Sequence, residues 1–432
     1  MLPSRSSEAR MPSFLEQSDR LLRGDASTRQ PGLHPFHPAE RLEEVAPGIG
    51  LYKGFVNVVA VRTGEGVLLV DTGTFHPAQH ERSFAGVRAF APERVHTAIY
   101  THGHVDHAYG LPPFLREAEA RGWARPRIVA HRAVPARMDR YAETAGYNEI
   151  VNSRQFGVPV RFPRESIRPT ETYEAALELR VGDVPVRLEH ARGETDDHSF
   201  VWLPQARVLC TGDLFIWCAP NAGNPQKVQR YAADWGRALR RMAGLGAELL
   251  LPGHGLPVAG EARVRAVLED TAAYLEALYR DTFALLNQGA TVYDIVESVR
   301  PPAELAEKPY LQPVYDEPEF IVRNVVRHLG GWWTGVPSEL KPAPRAALAR
   351  EVAALAGGLG PLLDRARAAL LAGDLRLASH LIDWAADAEP NSREAHALRA
   401  EVYRTRTAAE TSTMSRGIFG AAARESAEKA KS

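Results

Sequence analysis

An α/β layered fold followed by an all-α region is what this sequence predicts, on three observations. Up to Gly260, short β-branched runs are separated by glycine-containing turns and interleaved with helix-period stretches. Several of these runs end in turns rich in His, Asp and Gly, the place where α/β folds present their ligand-binding groups. Beyond Gly260 the apolar residues fall at mixed three- and four-residue steps with no β pattern. The chain has 432 residues, room for two to three domains at about 150 residues each. The expected division is an N-terminal arm over 1–40, an α/β domain over 41–262, a helical domain over 263–404 and a tail over 405–432.

Taken in order, the arm mixes Arg, Ser, Pro and His with little periodicity and reads as an extended segment or a short helix. Its His34 and His37 sit among prolines, where isolated histidines are usually surface groups. A β meander then runs through Val45–Tyr52, Val56–Val61 and Val67–Val70 and stops at Asp71-Thr72-Gly73. Pro77–Phe90 reads as a helix, Val95–Tyr100 as a strand, Phe114–Arg121 as a helix and Arg127–His131 as a strand of the parallel part. Met138–Phe162 is polar and aromatic without a clean period, either a lid or substrate wall or a surface helix-loop. Further strands are expected at Leu177–Leu179, Val186–His190, Ser199–Trp202, Val208–Thr211 and Leu249–Leu251. Helices are expected over Ala262–Asn287, from an N-cap at Thr291, over Phe320–Leu329, Arg365–Leu371, Leu375–Ala388 and Ala395–Tyr403. The last of these have the look of one tetratricopeptide-type hairpin, a weak signal because about three such units are needed to stand alone.

The densest chemistry lies in Thr101-His102-Gly103-His104-Val105-Asp106-His107, directly after the Val95–Tyr100 strand. On a helix these residues would point around the circumference, so they converge only in a turn. Imidazole and carboxylate are zinc ligands, and two interleaved pairs suit two metals. Other strand ends carry similar groups: Gly193-Glu194 with His198 nearby, Gly212-Asp213, and Pro252-Gly253-His254.

Bulk composition removes several classes. Lys plus Arg total 52 against 53 Asp plus Glu, a net charge of −1, so no overall field recruits nucleic acid or anionic membrane, and a nuclease is disfavoured. No run approaches the roughly 18 apolar residues of a membrane span. The first residues lack the apolar core of a secretory signal, and Cys210 and Cys218 make a disulfide framework unlikely to form. A reducing, cytoplasmic setting is therefore expected.

THGHVDH resembles the HxHxDH signature of the metallo-β-lactamase superfamily, whose αββα sandwich carries a dinuclear metal site at one edge. The resemblance implies that Asp71 orients the ligand loop and that Asp213 bridges two metals. It implies two Zn2+ per chain, with His102, His104 and Glu194 at one ion and Asp106, His107 and His254 at the other. Asp106 and Asp213 are also its expected catalytic carboxylates, acting on a water shared by the metals. Glu194 stands where most members of that superfamily have histidine, and in this the chain is similar to the alkylsulfatase branch. The YLEALYRDTFALLNQGATVYDIVESV and GDLRLASHLIDWAADAEPNSREAHALRAEVY blocks resemble the alkylsulfatase dimerisation domain, which implies a homodimer. The sterol-carrier-like module of larger alkylsulfatases is not expected here.

The expected substrate is thus a small ester with an anionic head group, first of all a sulfate ester. Asn221, Asn224, Lys227 and Arg230 are its candidate binding residues, although Lys227 and Arg230 also read as solvated charges at a helix start. This loop lacks the histidines that alkylsulfatases carry there, so thioester, lactone or phosphodiester hydrolysis stays open. A non-catalytic dimeric scaffold is the reading from another class. Flavin-linked members of the superfamily use Glu at the position of His104, which disfavours redox chemistry.

Overall fold

The computed structural model describes residues 11–228 and 230–432; the first ten residues of the expected arm lie outside it. Two sheets form the α/β part. The first holds β1 (Arg41–Ala46), β2 (Ile49–Lys53), β3 (Asn57–Thr63), β4 (Gly66–Val70), β5 (Val95–Ile99), β6 (Arg127–His131) and β7 (Glu171–Tyr173), side by side in chain order. β1 to β4 pair antiparallel and β4 to β7 parallel. The second holds β8 (Ala176–Val181), β9 (Val184–His190), β10 (Ser199–Leu203), β11 (Val208–Gly212), β12 (Leu249–Pro252) and β13 (Val258–Ala259), with β11 and β12 parallel and the other pairs antiparallel.

The two-residue period of the strands explains the layering. Leu68 and Val70 of β4 enter one core with Leu188, Phe200 and Leu209 of the second sheet, while Val67 and Leu69 enter another. That second core is closed by helices α2 (Pro77–Phe90), α3 (Pro112–Ala120) and α4 (Val134–Glu143), which follow α1 (Phe14–Leu22) in the chain. Both faces of β4 are therefore buried, which is why it reads as a continuous apolar run. Helices α5 (Ala145–Phe156), α6 (Ala232–Ala243) and α7 (Glu261–Asn287) come next, and Trp235, Leu239 and Leu268 of α6 and α7 cover the far face of the second sheet. The result is the αββα sandwich.

The rest is helical: α8 (Val292–Ser298), α9 (Ala303–Ala306), α10 (Pro318–Leu329), α11 (Pro337–Leu340), α12 (Arg345–Leu355), α13 (Leu359–Leu371), α14 (Leu375–Ala388), α15 (Arg393–Ala409) and α16 (Thr413–Lys429). Thr291 caps α8 and accepts from the Asp294 amide, closing a capping box. Among the described residues no single helix is long and apolar enough to cross a membrane. Both cysteines are buried and unpaired with each other.

Three stretches are settled by the structure. The arm takes the short-helix alternative, α1, whose Ser13–Glu16 capping box starts it and whose Phe14 is buried in the core shared with both sheets. Met138–Phe162 is mostly the helices α4 and α5, whose period is blurred because buried polar residues such as Arg137, Asn148 and Asn152 occupy inward positions. The expected tail is no tail either, since α15 runs to Ala409 and α16 buries Met414, Ser415, Ala421, Ala423 and Ser426. At Gly417 a Cβ would come within 2.1 Å of the Gln155 carbonyl oxygen, so α16 lies directly on α5.

The helical region also grips a loop of the α/β part. Asn324 of α10 donates to the carbonyls of Ala222 (2.7 Å) and Arg230 (3.1 Å), and the Gly223 amide donates to the Asp316 carboxyl (2.6 Å). A Cβ on Gly223 would stand 2.1 Å from the Phe320 carbonyl carbon, whereas one on Gly146 in α5 meets nothing within 4 Å. Gly223→Ala should therefore destabilise by about 1–3 kcal/mol through overpacking. Gly146→Ala should stabilise by about 0.5–1 kcal/mol by removing unfolded-state freedom. Paired thermal melts check the opposite signs.

Candidate metal centre

Four chain segments deliver the candidate ligands, each from the end of a strand. β5 runs into His102, His104, Asp106 and His107; the turn before β10 carries Glu194; β11 ends at Asp213; and β12 ends at His254. The ligand atoms fall into two groups, His102 with His104, Glu194 and Asp213, and Asp106 with His107 and His254, each within 4.8 Å. His102 Nε2 and His104 Nδ1 are 2.8 Å apart, and Glu194 Oε2 faces them at 3.8 and 3.3 Å. Asp106 Oδ2 lies 3.8 Å from His107 Nε2 and 3.5 Å from His254 Nε2. Asp213 reaches both groups, with Oδ1 at 3.2 Å from His107 and 3.5 Å from His254, and Oδ2 at 4.0 Å from His102.

Several of the candidate ligands are aimed by a partner behind them. Asp71, in the left-handed region at φ 55°, accepts from the Thr101 amide and hydroxyl at 2.8 and 2.9 Å. Its Oδ2 also lies 2.7 Å from His107 Nδ1, which turns Nε2 of that ring to Asp213. The carbonyl of Phe55 accepts from His254 Nδ1 at 2.6 Å, and Asn57 clamps the same turn by donating to the carbonyls of Pro252 and Gly255. A Cβ on Gly253 would sit 2.4 Å from Asp213 Oδ1, so the Pro-Gly-His turn needs glycine there. Gly103 is similarly confined, its amide donating to Asp197 at 3.0 Å while Arg137 packs against it. His198 accepts from the Asp213 amide at 3.0 Å and stacks on His102 at 4.5 Å.

The electrostatics fit divalent cations. Burial, with neighbouring imidazole and guanidinium groups, holds His102 and His104 well below the ordinary histidine value, so both are neutral donors. Burial opposes a charge on His254 too, but Asp213 and Asp106 override it and lift the ring to about 9. Burial lifts Glu194 to about 7 against the pull of Arg230. Among the buried atoms left without a hydrogen-bond partner are His107 Nε2, Glu194 Oε2 and Asp213 Oδ1, all at the junction of the two groups. Two of these are carboxylate oxygens and the third is an imidazole nitrogen, together the donor set of a divalent cation, which would displace the proton that the carboxylates otherwise hold on His107.

The candidate substrate residues divide. Lys227 lines the cavity of about 540 Å³ beside the candidate ligands, and its ammonium has no ion-pair or hydrogen-bond partner among the described residues. Arg230 and Asn221 line it too, but both donate to Glu194 Oε1, at 2.9 and 2.7 Å. Their donor groups face the candidate ligand carboxylate, whose burial demands compensation. Asn224 is buried and is not among the residues that line the cavity, with Nδ2 3.4 Å from Gln155 Oε1 and Oδ1 taking the Gln226 amide.

Several contributors were missed. Phe36 of the arm packs 4.4 Å from His254, and Tyr315, from beyond α9, closes the same wall. Asn57 was visible as a polar interruption of the apolar run Phe55–Val61, whereas nothing local marks Phe36 or Tyr315.

Residues 51–254 match the metallo-beta-lactamase superfamily model, and residues 291–429 match the alkyl sulfatase dimerisation model. A linear primary-alkylsulfatase of Pseudomonas sp. is 27% identical, over 80% of this chain and 69% of the relative. Alkyl/aryl-sulfatase BDS1 of Saccharomyces cerevisiae is 25% identical over 80% of this chain and 57% of its own length. An (R)-specific secondary-alkylsulfatase of Pseudomonas sp. is 26% identical over 83% and 58%. The stereoselective inverting sec-alkylsulfatase Pisa1 from Pseudomonas sp. superposes with a TM-score of 0.81 at 23% identity, over 89% of this chain and 65% of that one. This chain thus spans 57% to 69% of the length of the three sequence relatives.

Among the described residues the Asp71 carboxylate hydrogen-bonds to His107 and the Thr101 turn, so Asp71→Asn should weaken metal retention by about 10- to 100-fold while the fold persists. Competition with a chelating dye, alongside circular dichroism, measures both.

Proposed function

We propose that this chain, whose residues 51–254 match the metallo-beta-lactamase superfamily model and whose residues 291–429 match the alkyl sulfatase dimerisation model, is a dinuclear zinc hydrolase of sulfate esters. The observation that carries the reading is the pair of ligand groups with Asp213 between them, its Oδ1 without a hydrogen-bond partner. His102, His104 and Glu194 would hold one ion, Asp106, His107 and His254 the other, and Asp213 both. When bound, two such ions supply Lewis acidity for the ester oxyanion and acidify the attacking water.

The chain's own residues supply the rest. Lys227 is the cation that faces the ester anion: burial, reinforced by Arg230, pulls its ammonium down to about 8, and Asp106 and Glu194 oppose that pull. Arg230 and Asn221 hold one oxygen of Glu194, leaving the other to the metal. Phe55, Tyr141, Phe156 and Phe162 line the cavity beside them and take the apolar part of the ester, excluding water from the reacting atoms. The relatives named above are sulfatases, which supports the choice of ester. Exposed Trp332, Leu355 and Leu371 in the helical region support a homodimer.

Zinc-loaded protein should release sulfate from alkyl sulfates, lose turnover on dialysis against chelator and carry two zinc ions per chain by elemental analysis. Sulfate release at no chain length, with turnover of thioesters or lactones instead, would replace the ester class. A preparation that never retains metal would favour the scaffold. Lys227→Met should raise KM by about tenfold or more, the loss of one charged contact, measured by steady-state kinetics on the best alkyl sulfate.

A further inference from the structure

The unpartnered polar atoms of the cavity sort by sign. Those of Glu194, Asp213 and Asn221 are oxygens, gathered at the metal ligands. The other two are donors: Nη2 of Arg140, near the end of α4, and Nε2 of Gln226, in the loop after Asn224. The orientation of the Gln226 amide is fixed, because its Oε1 accepts from Arg154 Nη1 at 2.9 Å and a flip would set two donors against each other. Arg140 has no side-chain hydrogen bond or ion pair among the described residues; its guanidinium rests on the Tyr141 ring at 5.4 Å. Arg137, one turn earlier on the same helix, is by contrast committed to Asp196 and Asp197.

Tyr141 also sets the spacing. Its ring lies 6.2 Å from the ring of His104 and 5.4 Å from the Arg140 guanidinium. The cations that act most on His104 and Glu194 are Arg230, Arg137 and Lys227, so Arg140 stands further back from the candidate ligands than these. A buried guanidinium nitrogen and a buried amide N–H, both without acceptors, cost stability unless a ligand supplies oxygens.

We propose that Arg140 and Gln226 form a second anion subsite, which takes a carboxylate or comparable oxyanion on the far part of the substrate. The preferred substrate is then a sulfate ester whose organic part ends in an anionic group, not a plain alkyl sulfate. This deepens the reading of the preceding section and rests on it for the group at the metal end.

The test is calorimetric, with zinc-loaded protein and linear monocarboxylates and dicarboxylates of matched length as probes that are not hydrolysed. Wild type should bind the best dicarboxylate about tenfold or more tightly than its monocarboxylate. Arg140→Gln should bring that ratio toward one, and Arg140→Lys should keep part of it, with melting temperature as the check on folding. A ratio near one in wild type at every length, or equal weakening of both probes in Arg140→Gln, would overturn the subsite. A failure to release sulfate from any ester bears on the preceding reading alone, since the binding ratio needs no turnover.

Discussion

Carboxylates and imidazoles drawn from four strand ends face one another out of water, within 4.8 Å in each of two groups, and the rest of the α/β part serves to hold them there. Such a cluster repels itself and has lost its hydration, so it persists only where each group is tied from behind and a cation can complete it. Asp71 ties His107 and the Thr101 turn, Phe55 ties His254, and Asp197 ties the Gly103 amide. The sandwich makes this possible because strands from both sheets end along one edge, so short turns on rigid supports converge without a long loop among the described ligands.

The ligand carboxylate in place of the usual histidine has a consequence of its own. Glu194 adds negative charge beside the first metal position, and Arg230 with Asn221 sits on its far oxygen at 2.9 and 2.7 Å. The guanidinium balances what the carboxylate adds, and its Nη2 together with Asn221 Nδ2 occupies Oε1, leaving Oε2 of Glu194 free. A cation that looks like an anion-binding residue in sequence thereby pairs with a candidate metal ligand. Lys227, on the same loop, is left to face the cavity.

The helical region does more than follow the sandwich. Asp316 and Asn324 clamp the Asn221–Arg230 loop, Tyr315 lines the cavity, and α16 presses on α5, which forms another wall. The two matched domains thus share one site. Changes in the helical part are expected to reach substrate binding through these contacts, not only assembly.

The sequence by itself determined the ligand types and the strand ends that carry them, because metal ligation needs particular atoms and a compact motif such as THGHVDH survives as a local pattern. It also determined the layered order, since two-residue and three-to-four-residue periods report burial directly. Only the tertiary structure decided which cation faces which anion. Arg230 and Glu194 are far apart in the chain, and no local pattern tells a guanidinium bound to a carboxylate from one open to a ligand. The same holds for Asn224, turned toward Gln155, and for Phe36 and Tyr315, whose neighbours come from remote segments. The helical character of 405–432 was hidden for a related reason: small residues such as Gly417 and Ala421 give little periodic signal, and their value lies in the close approach to α5 and α15 that packing alone reveals.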